Sequence, residues 1–205
     1  MGEHFIDSIE ALRAAYGQAD QTVWRKSLPC LDQHCRALIE ASPFIVIATQ
    51  RKDGPADASP RGDAPGFVKV ADDKTLLIPD RPGNKRLDSL TNLIGNPRIG
   101  IIFMIPGMDE TVRINGTARI SVDPAVLASM AVKERPPLSA IVVTVEEAYL
   151  HCAKAFIRSK LWDPASRIDR SRFPTLGRMI ADQIEGLDVK ATEEAVLRSN
   201  RTELY

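Results

Sequence analysis

Apolar positions along the chain change texture twice. In the first forty residues Phe5, Ile9, Leu12 and Tyr16 recur at helical spacing, and Leu31, Cys35, Leu38 and Ile39 form a second stripe closed by Ser42-Pro43; both predict helices. The run Phe44-Ile45-Val46-Ile47-Ala48-Thr49 then predicts a strand ending at Lys52-Asp53-Gly54-Pro55, where Asp-Gly supplies the positive φ of a tight turn. Four more strands follow at 66–71, 75–79, 98–105 and 111–121, with Asp72-Asp73 as the turn between the first two. Alternation is cleanest in the last of these. Val112, Ile114, Ala118 and Ile120 lie on one face with Gly116, and Arg113, Asn115, Thr117 and Arg119 on the other, so one side packs and the other meets water or a ligand. Asp123-Pro124 marks a helix start, and Ala140 to Val145 is a further strand. Beyond Leu150 the chain turns polar, is broken at Pro164 and Pro174, and carries helical stripes at 179–184 and 191–197. Short hairpin-linked strands with few helices predict an α+β protein built on an antiparallel sheet or barrel.

Two stretches carry candidate chemistry. Between strands, Leu87, Leu90 and Ile94 share a helical face, Asn84 is a competent N-cap, and Gly95 with Pro97 ends the helix. Lys85 and Arg86 then fall in its first turn, the wrong sign for the helix dipole unless an anion is bound; a phosphate resolves the conflict, and side chains splayed into solvent are the alternative. The second stretch, Ser59-Pro60-Arg61-Gly62-Asp63, reads as a polar loop offering a hydroxyl, a guanidinium and a glycine that permits close backbone approach. No nucleophile–base pair, nucleophile elbow, P-loop or Rossmann glycine pattern occurs, which points to a cofactor as the source of chemistry.

Composition narrows the classes. The 205 residues suit one domain, or one with an appended segment. The 27 basic residues are matched by 27 acidic ones and interspersed with them, which argues against a non-specific nucleic-acid binder. Residues 1–16 carry Glu3, Asp7, Glu10 and Arg13 without an apolar core, and no apolar run approaches the roughly 18 residues of a membrane span; a cytoplasmic protein is expected. Cys30, Cys35 and Cys152 are too few for a disulfide framework. With His34 and His151 they lack metal-knuckle spacing, so buried thiols and a hydrogen-bonded histidine are expected, with no metal.

Taken together, Ser59 to Asp63, Leu76 to Arg86, Asn96 to Phe103 and Val112 to Gly116 resemble the pyridoxamine 5′-phosphate oxidase-like FMN-binding split-barrel family, in its bacterial branch of small flavoproteins. The block His151 to Trp162 is similar to the same branch. The resemblance implies a six-stranded antiparallel Greek-key split barrel with flanking helices, which forms a homodimer with FMN at the subunit interface. On this chain it implies an N-terminal helical segment at 1–41 packed on the barrel, a core at 42–162 and a C-terminal helical segment at 163–205. Matching the family's phosphate-holding turn over equal length places that role on Asn84, Lys85 and Arg86, with Ile78, Pro79, Asp80 and Arg81 before them. Ser59 and Arg61 join the implied cofactor set, and Thr111 falls where the oxidases have a flavin-contacting glutamine. Lys154, Arg158 and Trp162, with His151, are candidates to complete the pocket from the partner subunit.

The oxidases' C-terminal Arg-Leu-His segment is absent; this chain ends Asn200-Arg201-Thr202-Glu203-Leu204-Tyr205. Vitamin B6 oxidation is therefore not expected. The resemblance implies instead an FMN-dependent oxidoreductase passing electrons or hydride from a reduced nicotinamide to a small acceptor. A deazaflavin would suit the same phosphate contacts. Two further readings are a non-catalytic flavin- or haem-binding sensor, with His4, His34 and His151 as the available imidazoles, and a dimeric interaction protein.

Overall fold

The computed structural model describes residues 4–205; Glu3 lies outside the described residues. Helices α1 (Ile9–Tyr16), α2 (Gln21–Arg25) and α3 (Gln33–Ala41) precede strands β1 (Phe44–Gln50), β2 (Ala56–Gly62), β3 (Lys69–Val70) and β4 (Thr75–Pro79). After α4 (Asp88–Gly95) come β5 (Arg98–Met104), β6 (Thr111–Ser121), α5 (Pro124–Ser129) and β7 (Ala140–His151). Helices α6 (Lys154–Ser159), α7 (Leu176–Gln183) and α8 (Val189–Thr202) close the chain. No described helix is long and apolar enough to cross a membrane.

All seven strands pair antiparallel in one sheet of order β2-β1-β5-β6-β7-β4-β3. This is the expected α+β class, with one strand more than the six of the expectation. Residues 56–62 form an edge strand and not a loop: after the turn at 51–54, β2 folds back on β1 with Ile47 opposite Ser59 and Ile45 opposite Arg61. Its sequence ADASPRG lacks β-branched residues, so its pairing comes from the exposed backbone of β1, and Pro60 is tolerated because an edge strand leaves one side unpaired. The strand expected at 66–71 shrinks to two residues because Gly66 takes φ 79° and Phe67 N–H closes a turn on the Ala64 carbonyl at 3.1 Å. The strand expected at 140–145 runs on to His151 through a bulge, where Asn115 faces Glu147 but Gly116 faces Val145. The bulge also accounts for Gly116, since a Cβ there would meet the Thr144 carbonyl oxygen at 2.0 Å.

Alternate residues of the strands fill the interior: Ile45, Ile47, Leu76, Ile78, Ile101, Phe103, Ile114, Ile141 and Val143 are all fully buried. Asp32 caps α3 by accepting from Cys35 N–H at 2.7 Å, and the helix buries Cys35 and Ile39 in the same core. Burial pushes the Cys35 thiol up to about 12, so it is an inert packing group. Cys152, expected to be buried, is exposed because it follows directly on the end of β7. Helix α4 packs Leu93 into the core and places Asn92, whose carboxamide donates to Thr49 Oγ1 at 3.1 Å, against β1. Helix α1 buries nothing: Ile9, Leu12 and Tyr16 are exposed, as is Phe5, which lies ahead of the helix. Helices α7 and α8 pack closely on each other, where a Cβ at Gly177 would lie 2.5 Å from Glu193 Cα.

Candidate functional site

The edge strand β2 and the segment between β4 and α4 enclose a cavity of about 570 Å³. Strand alternation points Asp57, Ser59 and Arg61 into it, and residues 80–90 with Leu138 complete the wall. Seven of the sequence candidates therefore meet here: Ser59, Arg61, Asp80, Arg81, Asn84, Lys85 and Arg86.

The helix start differs from the expectation. Helix α4 begins at Asp88, preceded by Leu87 at φ 59° with no side-chain cap. Asn84 Oδ1 accepts instead from Arg86 N–H at 3.0 Å, and Lys85 also stands at φ 59°. This local turn uses the N–H that a helix start would leave free, and the left-handed residues, costing about 1–2 kcal/mol each, break the helical path. Lys85 and Arg86 are thus ahead of the first turn and not in it, and the dipole conflict does not arise. Asp88 occupies the first turn, the favourable sign, and its carboxylate accepts from Arg86 Nε at 2.5 Å. Both cations remain exposed on the cavity wall.

Arg61 sits deeper. Its Nη1 donates to Ser59 Oγ at 2.9 Å and to the Pro60 carbonyl at 3.3 Å. Its Nε is buried with no partner among the described residues. Such an orphaned donor is costly unless a ligand acceptor meets it. Burial pushes the Asp80 carboxyl above its ordinary value, and the Arg61 charge opposes that rise.

Arg81 is committed elsewhere. Its Nε donates to Asp63 Oδ2 at 2.8 Å and its Nη1 to the Met130 carbonyl at 3.0 Å, with side-chain exposures of 15% and 4% for Arg81 and Asp63. The other Asp63 oxygen accepts from Ala64 N–H at 2.7 Å and from the Tyr205 hydroxyl at 2.8 Å. Burial pushes the Asp63 carboxyl up, but the Tyr205, Ala64 and Arg81 hydrogen bonds outweigh it and hold the group below the ordinary carboxylate range. Arg81 thus braces the base of the 82–86 segment, with its guanidinium 5.8 Å from the Tyr205 ring centre. Tyr205→Phe deletes one hydrogen bond to this carboxylate and is expected to cost about 1 kcal/mol, read as a lowered thermal midpoint; an unchanged midpoint would show that the phenol contact contributes nothing.

The remaining candidates lie apart from the cavity within one chain. Pro79 is buried at the end of β4, opposite Ala140. Thr111 is buried at the start of β6, opposite His151. Lys154 and Arg158 are exposed on α6. Trp162 stacks on Phe156 at 5.7 Å and donates from Nε1 to the Met108 carbonyl at 2.8 Å. His4 and His34 are exposed and His151 is half-buried. The sequence reading missed Asp57, Ser89 and Leu138; Ser89 Oγ donates to Asp57 Oδ2 at 3.1 Å and ties α4 to the edge strand. The period-2 spacing of Asp57, Ser59 and Arg61 was the available signal, and it has meaning only once 56–62 is a strand.

The antiparallel sheet with flanking helices defines a protein of the α+β split-barrel class, with a cavity at the sheet edge that Arg61, Lys85 and Arg86 line together with Asp57, Asp80 and Asp88. The family model for pyridoxamine 5′-phosphate oxidase matches residues 31–152, and the chain belongs to that family. Among solved structures, HupZ of Group A Streptococcus is similar at 21% identity and TM-score 0.47, over 58% of this chain and 93% of that one. An FMN-binding protein from Syntrophomonas wolfei is similar at 12% identity and TM-score 0.43, over 70% and 97%. The FAD-binding protein of Mycobacterium smegmatis is similar at 19% identity and TM-score 0.42, over 60% and 97%. No curated protein matches the chain.

Proposed function

We propose that the protein binds FMN in the 570 Å³ cavity and works as an FMN-dependent oxidoreductase. The observation that carries this reading is Arg61, whose buried Nε lacks a partner inside a cavity that Lys85 and Arg86 also line. The volume lies within the usual range for cofactor sites, and three cations suit a phosphate monoester. Lys85 and Arg86 hold the phosphate at the rim, Arg61 supplies the deeper donor, and Ser59 keeps the Arg61 fork in place. Asp80, with its raised carboxyl, lies beside Arg61 and shapes the charge at the inner wall. When bound, the flavin supplies electron or hydride transfer between a reduced nicotinamide and a small acceptor.

The site is completed in a homodimer. Phe44, Val46, Ile102 and Met104 are neighbours on the outward face of β1 and β5, and Phe44 and Ile102 leave 38% and 36% of their surface exposed. A second copy covering this apolar face is the economical way to bury it, and it would bring Thr111, Lys154, Arg158 or Trp162 toward the flavin of its partner.

The test is the visible spectrum of protein purified without added cofactor, followed by heat release and mass identification of the chromophore. Flavin absorption with about one FMN per chain is the expected result, and a deazaflavin mass would redirect the cofactor assignment. Colourless protein that also fails to take up added FMN would overturn the reading.

A further inference from the structure

Tyr205 follows α8 and meets the barrel 142 positions from its partner Asp63. Three segments distant in sequence make a socket for it. Its hydroxyl donates to Asp63 Oδ1 at 2.8 Å. The Arg81 guanidinium and the Lys133 ammonium lie 5.8 and 5.9 Å from its ring centre, and its backbone carbonyl accepts from Arg135 Nη1 at 3.2 Å. Helices α7 and α8, which lead to it, pack chiefly on each other, so Tyr205 is a fastening point between this helical pair and the barrel.

The socket has a backbone that needs holding. Lys133 and Glu134 stand at φ 49° and 63°, in a tight turn where Val132 and Arg135 exchange two backbone hydrogen bonds of 3.0 Å. Left-handed geometry at two successive residues with side chains is costly and persists where surrounding contacts enforce it. The contacts of Lys133 and Arg135 with Tyr205 are of that kind.

Two routes lead from the socket to the cavity walls. Asp63 follows Arg61 and Gly62 of the edge strand, and Arg81 precedes the segment that carries Lys85 and Arg86; their ion pair at 2.8 Å therefore ties one wall to the other. Tyr205 bonds the same carboxylate. Beyond Arg135 the chain continues to Leu138, which lines the cavity, and to Ser139, whose carbonyl accepts from Asp80 N–H at 3.0 Å.

We infer that Tyr205 is a positioning residue for the cavity: by bonding Asp63 it fixes the Asp63–Arg81 clasp, and with it the placing of Arg61 relative to Lys85 and Arg86, so that docking of Tyr205 and binding of the cofactor phosphate are coupled. The inference rests on the reading that this cavity takes FMN. Coupling is reciprocal: a docked Tyr205 tightens the hold on the cofactor, and a bound cofactor holds Tyr205 and the 131–135 turn in place. Tyr205 stands outside the lining of the cavity, and its effect passes through Asp63 and Arg81.

The experiment measures FMN affinity by flavin fluorescence well below the unfolding temperature of each variant, and amide hydrogen exchange at 131–135 and 203–205 with and without FMN. Tyr205→Ala is expected to bind FMN about tenfold more weakly, within the usual range for coupled sites. Tyr205→Phe should fall between it and the natural sequence, because the ring contacts survive. FMN is expected to slow exchange at both segments in the natural sequence, and the slowing at 131–135 is lost in Tyr205→Ala. A tyrosine that only stabilises the fold would lower the thermal midpoint and leave both readouts unchanged. Arg135→Gln, at an exposed position, reports the same weakening should Tyr205→Ala fail to fold. Equal FMN affinity in the natural sequence and in these variants would overturn the inference and leave the flavin reading intact; failure of the natural protein to bind FMN would overturn both.

Discussion

Replacing Lys85 and Arg86 together by alanine is expected to lower FMN affinity by about 100-fold or more, since each charge-assisted contact to a phosphate contributes about 1.5–3 kcal/mol. The fold should be indifferent to the change. Both side chains are exposed, and the Arg86–Asp88 pair, with exposures of 77% and 46%, belongs to the surface class that contributes under about 1 kcal/mol. Flavin fluorescence titration reads the affinity and thermal unfolding reads the fold. Lys85→Gly separates charge from strain, because it removes the amine while relieving a left-handed backbone at φ 59°; it should bind FMN more weakly yet unfold at an equal or higher temperature. Unchanged flavin occupancy in the double variant would remove the phosphate role from this turn and leave Arg61 as its candidate.

Asp63→Asn is expected to destabilise the protein by about 3–5 kcal/mol, the usual consequence of leaving a buried charge without its partner. Arg81 then keeps its bond to Met130 but loses the Asp63 carboxylate at 2.8 Å. Asp88→Asn, which breaks the exposed pair with Arg86, is the matched control and should cost under about 1 kcal/mol. The pH dependence has a definite sign. The folded protein holds the Asp63 carboxyl below its ordinary value of 3.8, so the folded state binds fewer protons than the unfolded one between those two values. Stability from this group is complete above the ordinary value and is lost as the pH falls through the folded one. Denaturant unfolding between neutral and acid pH should therefore show a shallower acid decline in Asp63→Asn than in the natural sequence. Equal slopes would mean that Asp63 is not the carboxylate responsible. Because Arg81 begins the 82–86 segment, the same variant should also weaken FMN binding.

Hydrophobic periodicity alone specified most of the sheet. Strands β1, β4, β5 and β6 are β-branched or alternating runs whose inward positions are the buried ones, and helices α5, α7 and α8 follow from caps and stripes that act within a few residues. These are local signals, and local physics suffices for them. The family, too, was legible, because its ordered motifs between Ser59 and Gly116 lie within the stretch that the family model matches. The site was legible only as a set of residue types. Its edge strand β2 pairs by backbone hydrogen bonds that a polar sequence does not announce, and the turn at 84–87 on the cavity wall hangs on an Asn84 contact and two left-handed residues in place of a helix start. Which cations stay free was also settled in three dimensions: Arg81 is consumed by Asp63 and Met130, whereas Arg61 keeps an unpartnered nitrogen. Side-chain type and spacing are properties of the chain, so sequence determines which groups are available. Pairing and burial depend on residues far apart along it, such as Asp63 with Tyr205 or Arg113 with Tyr149, and those only the tertiary structure decides.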